Sequence, residues 1–206
     1  MKLIKTFFIG LATISLVGCS SYGKEVSKEN FVEAAQKLEN KEYSKATVTY
    51  MSSSKTTGYK AAFDMDDEDT KISGKITLTS DETGYYELDG GQGAVDEEIA
   101  FYIEEYVGLN IKDSLEDIMD NEGSGSEKIK FYTGPLGVYT ELKLDGSDAS
   151  SEVSGYTKIT GYIGFDVYGY VTKFNSKTES KMTSKIGNKS ITYTSKYVTE
   201  LTISYQ

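Results

Sequence analysis

The sequence predicts an α+β fold, a strongly curled antiparallel β-sheet forming an open or half-closed barrel, with an N-terminal helix and a mid-chain helical lid. Three observations predict it. Long stretches between Ala46 and Tyr205 alternate apolar residues with Thr, Ser and Lys, the pattern of antiparallel strands packed on one side only. One segment ahead of these stretches and one in their midst repeat apolar residues at helical spacing instead. A strand of about 15 residues rising ~3.3 Å per residue spans ~50 Å, too long to stay flat in a domain of this size, so it must curl.

Taken in order, the chain opens with Lys2 and Lys5, an apolar run from Phe7, and the closing residues Leu16-Val17-Gly18-Cys19. A charged start, a short apolar stretch and a small residue before the end describe a secretory signal. The stretch is too short for a spanning helix, which needs about 20 apolar residues. Leu16 to Cys19 resembles the lipobox of bacterial lipoproteins. The resemblance implies that the Cys19 thiol receives a diacylglyceryl group, that residues 1–18 are removed as a signal peptide, and that Cys19 becomes the amino terminus. It further implies a protein of the cell envelope, lipid-anchored to the membrane on its extracytoplasmic side. Residues 19–26, small and polar, are then a lipidated tether, and 27–206 a single domain with a helical insertion over about 94–122.

Ser27 is a good N-cap, Val26 and Phe31 are placed for a hydrophobic staple, and Phe31, Ala34, Ala35 and Leu38 share one helix face. Strands follow at Ala46, Val48 and Tyr50, then at Tyr59, Ala61, Phe63 and Met65, then at Ile72, Gly74, Ile76 and Leu78. Asp81 to Gly84 has the residues of a type I turn leading into Tyr86 and Leu88. The period then changes: Ile99, Tyr102, Ile103, Tyr106 and Val107 recur helically up to Gly108, which suits a left-handed C-cap. Asn110 caps a second helix carrying Ile111, Leu115, Ile118 and Met119, which ends in the Gly-Ser-rich 121–126. Strands resume at Ile129 and Phe131, at Val138 to Leu144 before a turn at Asp145-Gly146, and at Val153 to Phe165. Asp166 to Gly169 is a second type I turn, the chain returns through Val171 to about Ser184, and Gly187-Asn188 signals a hairpin. In the last strand Ile191, Tyr193, Tyr197, Leu201, Ile203 and Tyr205 share one parity.

This order of elements over residues 27–205, with the Asp166-x-x-Gly169 hairpin and its Ser/Thr/Lys-rich returning strand, resembles the LolA/LppX-like lipoproteins and lipid carriers. The resemblance implies a half-closed barrel that holds acyl chains under a helical lid. It supplies no residue-level signature for binding.

Composition narrows the chemistry. The whole chain carries −10, and removal of residues 1–18, with their two lysines and no acid, leaves 20 lysines against 32 carboxylates, or −12. Such a surface repels nucleic acid, so no nucleic-acid partner is expected. Histidine, tryptophan and arginine are absent and the one cysteine is taken by the lipid. That excludes His-based triads, His-ligated zinc, disulfides and bidentate Arg clamps. No enzyme activity, catalytic residue, cofactor or metal is expected.

The remaining candidates have bland readings beside the functional ones. The acidic run Asp64 to Asp69 has the oxygen density of a Ca²⁺ site but lacks the Gly and Glu positions of an EF-hand loop, and reads first as a hairpin turn. Asp113, Glu116, Asp117 and Asp120 read as a wet helix face, and Asp145 to Asp148 as a turn. Ser52 to Lys55 and Ser21 to Lys24 match Ser-x-x-Lys without the helical setting and partner motifs of serine acyl enzymes. Several of the 17 tyrosines fall on apolar faces, where they are core residues whose hydroxyls reach an edge. Read functionally, Tyr50, Tyr59, Phe63, Ile99, Tyr102, Ile103, Tyr106, Ile118, Tyr193 and Tyr197 line a pocket for an acyl chain or other apolar ligand. The expectation is a surface lipoprotein binding a lipid or apolar small molecule in the concave face of the sheet. The alternative is a non-enzymatic surface module that meets a protein or cell-wall partner.

Overall fold

Alternation becomes nine antiparallel strands among the described residues, which are 23–80, 86–88, 97–120, 126–147, 152–186 and 188–206 of a computed structural model. In chain order these are β1 (Lys24–Val26), β2 (Lys45–Thr57), β3 (Asp69–Ser80), β4 (Tyr86–Leu88), β5 (Glu127–Thr133), β6 (Gly137–Ser147), β7 (Val153–Phe165), β8 (Val171–Ile186) and β9 (Lys189–Tyr205). They form one sheet in the order β1-β5-β6-β7-β8-β9-β2-β3-β4. Strand β9 joins the two halves of the chain by pairing with both β8 and β2. Cys19 with residues 1–18, the expected turn at 81–84, the 121–125 stretch, Asp148 and Gly187 lie outside the described residues.

The register sets one apolar row across the sheet. Phe131 faces Val138, Val138 faces Ile163, Ile163 faces Phe174, Phe174 faces Leu201, and Leu201 faces Tyr50. Two further rows run Leu78–Ala46 and Ile76–Val48–Ile203. Period two puts these residues on one face, where they form the buried core with half-buried Tyr50 and Ile76 packed against it.

Helices supply the other side of that core. In α1 (Lys28–Gln36) the Ser27 hydroxyl accepts from the Asn30 N–H at 3.3 Å, so the cap forms as its residue type predicts. Phe31 and Ala35 are fully buried, and the Phe31 ring lies 5.2 Å from that of Phe131. Val32, on the flank of the expected stripe, is buried as well. The insertion forms α3 (Glu97–Tyr106), a 3₁₀ turn at Ile111–Ser114 capped by the Asn110 side chain, and α4 (Leu115–Asp120). Ile99, Ile103, Tyr106, Ile111 and Ile118 all enter the buried cluster with Leu78, Phe174 and Leu201. Each fully buried side chain of this size contributes about 1.5–3 kcal/mol of transfer free energy. No helix among the described residues is long and apolar enough to cross a membrane.

Three expectations are corrected. Tyr59, Ala61, Phe63 and Met65 do not form a strand: Tyr59–Phe63 is the short helix α2, between Gly58 and Asp64, both in the left-handed region. Spacing of Tyr59 and Phe63 at i, i+4 fits either period, and Asp67 decides it by accepting the Tyr59 N–H at 2.8 Å. Asp145-Gly146 is not a turn but continues β6, pairing with Tyr156 and Gly155 of β7. Lys24–Val26, expected in the tether, pair with Thr133, Tyr132 and Phe131 as β1.

Candidate functional site

The helix-bearing face continues along the strands beyond the apolar rows. Next to Phe174 and Leu201, the register places Thr140, Gly161, Ser176, Thr199, Ser52 and Ile72 in one row. The following rows carry Leu142, Ile159, Thr178, Tyr197 and Ser54, then Leu144, Thr157, Ser180, Ser195 and Thr56. This half of the face is therefore built of hydroxyls with apolar residues among them. Thr199 is 2% exposed and Ser176, Ser195, Thr140 and Thr56 are also buried, whereas Ile72 at 40%, Leu144 at 47% and Tyr197 at 38% are open to solvent. Thr157 and Ser180 share a hydrogen bond of 2.8 Å, Thr140 donates to Glu127 at 3.2 Å, and Ser54 donates to Glu68 at 2.8 Å.

The ten residues singled out from the sequence fall into three places. Ile99, Ile103, Tyr106 and Ile118 are buried in the core beneath the helices. Half-buried Tyr102 belongs with them, its ring 5.1 Å from that of Phe174, while Tyr106 stacks on Phe174 at 4.2 Å. Burial, then the carboxylate of Glu105, pushes the Tyr106 hydroxyl above the ordinary tyrosine range, and burial alone raises Glu105. Tyr50 and Tyr197 stand on the continuing face, with the Tyr50 ring across Gly74, where a Cβ would meet its hydroxyl at 2.4 Å. Tyr59, Phe63 and Tyr193 make a separate cluster at the far end, with ring centroids 4.8 to 5.6 Å apart in edge-on geometry and Phe63 half exposed. Tyr193 and Leu201 are eight residues apart on β9, or ~26 Å, so the far cluster and the core group do not meet.

Acidic candidates are occupied by the chain's own groups. Lys60 pairs with Asp64 at 3.5 Å and Asp66 at 3.2 Å, Asp67 caps α2, Glu68 accepts from Ser54, and Lys55 pairs with Asp69. Backbone N–H groups of Gly58 and Tyr59 hold the Asp67 carboxyl below its usual range. Among the described residues no group of three or more His, Cys, Asp or Glu side chains is placed to hold a metal ion. Ser52 and Lys55 stand three apart on a strand, so they point to opposite faces and do not meet.

Two features escaped the sequence reading. The inward residues of β8 run Phe174, Ser176, Thr178, Ser180, Met182, a hydroxyl series to which the sequence reading assigns no face; the lysines 173, 177, 181 and 185 on the opposite parity carry the signal. The second is a cluster at the opposite end. Tyr43 donates to Asp166, its ring lies 5.1 Å from Tyr170 and 4.9 Å from Tyr205, and the Lys41 ammonium sits 4.8 Å from the Tyr43 centroid and 5.0 Å from that of Tyr168. Lys41 and Tyr43 lie more than a hundred positions before Asp166, Tyr168, Tyr170 and Tyr205, so no local pattern announces the cluster. No protein-family model matches the chain, and no curated protein matches it.

Proposed function

We propose that this chain is a bacterial surface lipoprotein, anchored through Cys19 on the extracytoplasmic side of the membrane, that binds a lipid or similar amphiphile without catalysing a reaction. The ligand lies along the hydroxyl-rich half of the helix-bearing face. One observation carries the reading: small buried hydroxyls on the central strands β8, β9 and β2 are flanked by exposed Ile72 on β3 and Leu144 on β6. Low exposure in the middle with exposed side chains to either side is what a sheet curled into a half-closed barrel produces. Acyl carbons against Ile72, Leu144 and Tyr197 gain about 25 cal/mol per Å² of apolar area removed from water, and the hydroxyls suit ester or headgroup oxygens. The likeness to LolA/LppX-like carriers implies acyl chains under a helical lid; here α3 and α4 pack on the neighbouring core half of the face, so the ligand lies beside the helices rather than beneath them.

The test uses full-length protein carrying Cys19→Ala, extracted with organic solvent and examined by mass spectrometry. Lipid is expected in the extract, and a fluorescent fatty acid is expected to bind and to be lost on Ile72→Glu with Leu144→Glu. An empty extract together with no fatty-acid binding sinks carriage. Labelling cells with an alkyne fatty acid tests the anchor separately: the parent takes label and Cys19→Ala does not.

The second reading is a non-enzymatic module that meets a protein or cell-wall partner. What favours it is that Ile99, Ile103, Tyr106 and Ile118 are packed into the core, so α3 and α4 serve the scaffold. Under it, the same extract is empty while the protein is retained on isolated cell wall.

A further inference from the structure

We infer that the end of the sheet where the chain enters the fold rests on the membrane, with Val167 and Tyr168 in the headgroup layer and the hydroxyl-rich half directed away from it. This placement depends on the Cys19 anchor proposed above.

Chain length fixes which end is near. Because Lys24–Val26 belong to β1, only four peptide units separate Cys19 from Gly23, a reach of at most ~14 Å. Gly23 packs directly on the backbone of Thr133 and Gly134. In an antiparallel array alternate connections share an end, so the β5–β6 turn at 134–136, the β7–β8 turn at 166–170 and the close of β9 lie together there. Three neighbour spacings separate β1 from β7, about 14 Å across the sheet.

That end carries the groups a headgroup layer accommodates. Val167, at the tip of the β7–β8 turn, is 72% exposed, the most of any large hydrophobic residue among those described. It is held outward by a built support: Asp166 accepts the Tyr168 and Tyr170 N–H groups at 2.9 Å and the Tyr43 hydroxyl at 2.8 Å. Tyrosines are favoured at the headgroup level, and a lysine lying over their rings extends its ammonium toward phosphates. Lys24 and Lys45 are exposed at the same end, beside Glu25, Glu39 and Glu42. The remaining surface, in a mature chain of −12, is repelled by anionic lipid, which opposes lying flat. Strand β8 has 16 residues, so the Tyr59–Phe63–Tyr193 end stands ~50 Å from the foot. A ligand of the hydroxyl-rich half is then exchanged with a partner beyond the bilayer surface.

The test is the lipidated full-length protein in phosphatidylglycerol-phosphatidylethanolamine vesicles, with Val167→Cys or Ser190→Cys carrying an environment-sensitive fluorophore. A lipidated Cys19 has no thiol, so the parent takes no label. The probe at 167 is expected to be at least about twofold brighter than the probe at 190 and to be quenched by headgroup-labelled lipid. An unlabelled parent with the two probes equally wet overturns the placement alone. A parent that takes label overturns the anchor, and the placement with it.

Discussion

Tyr43 donates its hydroxyl hydrogen to Asp166 Oδ2 at 2.8 Å across 123 positions of chain, while Asp166 Oδ1 accepts the N–H groups of Tyr168 and Tyr170. One carboxylate thus organises the β7–β8 turn and ties it to the segment that enters β2. The same turn holds the insertion: the Ile111 N–H donates to Gly169 O at 2.8 Å, the Val171 N–H to Leu109 O at 3.1 Å, and the Asn110 amide to Tyr168 O at 3.0 Å. The α1–β2 connection, the α3–α4 connection and a hairpin turn are therefore joined at one place, which the sequence keeps far apart.

Removing one partner measures that junction. Tyr43→Phe deletes a hydrogen bond to a charged acceptor at a partly exposed site and is expected to cost about 1 kcal/mol. Asp166→Ala also leaves two backbone N–H groups without their acceptor and is expected to cost about 2–3 kcal/mol. Urea unfolding of the two variants checks the order; equal midpoints for Asp166→Ala and the parent contradict it.

Alkaline pH acts on the same residue. Burial first, then the Asp166 carboxylate, hold the Tyr43 hydroxyl well above its ordinary value, and Tyr106 is raised mainly by burial. In the unfolded chain both ionise near pH ~10. Above that the unfolded state binds fewer protons than the native one, so stability present at neutral pH is lost as pH rises through about 10 and beyond. Thermal unfolding between pH ~9 and ~12 should show a falling midpoint, and Tyr43→Phe should make the fall shallower than in the parent.

Gly169 tests the turn by its backbone. Its φ is +91°, and a Cβ there would stand 2.7 Å from Asn110 Oδ1 and 2.9 Å from Ile111 Cγ2. Gly169→Ala combines left-handed strain with a clash against the insertion and should cost about 2–3 kcal/mol. Hydrogen exchange should then rise at the Ile111 and Val171 amides, which bond across this point, before it rises in β9.

Much of the frame was legible because its signals are local. Ser27 caps α1, Asn110 caps the 3₁₀ turn, and the odd positions of β9 from Thr199 to Ile203 are buried as their parity predicts. The strand assigned to Tyr59–Met65 failed because four residues at i, i+2 spacing cannot outweigh a left-handed Gly58 and a carboxylate capping Tyr59. The candidate site was legible only in part. Its expected lining is apolar, yet Ile99, Ile103 and Ile118 are spent on the core, where burial rewards them most. Ser176, Thr178 and Ser180 carry no apolar alternation to mark their face, and only the register with Thr199, Tyr197 and Ser195 places them on the face of Phe174 and Leu201. Periodicity reports which face a residue shares, while cross-strand register decides what lies beside it.

A contrast between two aromatic residues on one face separates scaffold from surface. Phe174 is 1% exposed, stacked against Tyr106 and near Tyr102, so Phe174→Ala opens a cavity under α3 and should cost about 3–5 kcal/mol. Tyr197, two rows further along the face, has its ring open to solvent, and Tyr197→Ala should change stability by under about 1 kcal/mol. Ligand binding should invert the order of importance. With fatty-acid fluorescence as the readout, Tyr197→Ala should weaken binding severalfold while its unfolding midpoint stays near the parent's. If Tyr197→Ala binds as the parent does and a partly refolded Phe174→Val loses binding instead, the ligand sits beneath the helices, and the hydroxyl-rich half is not where it lies.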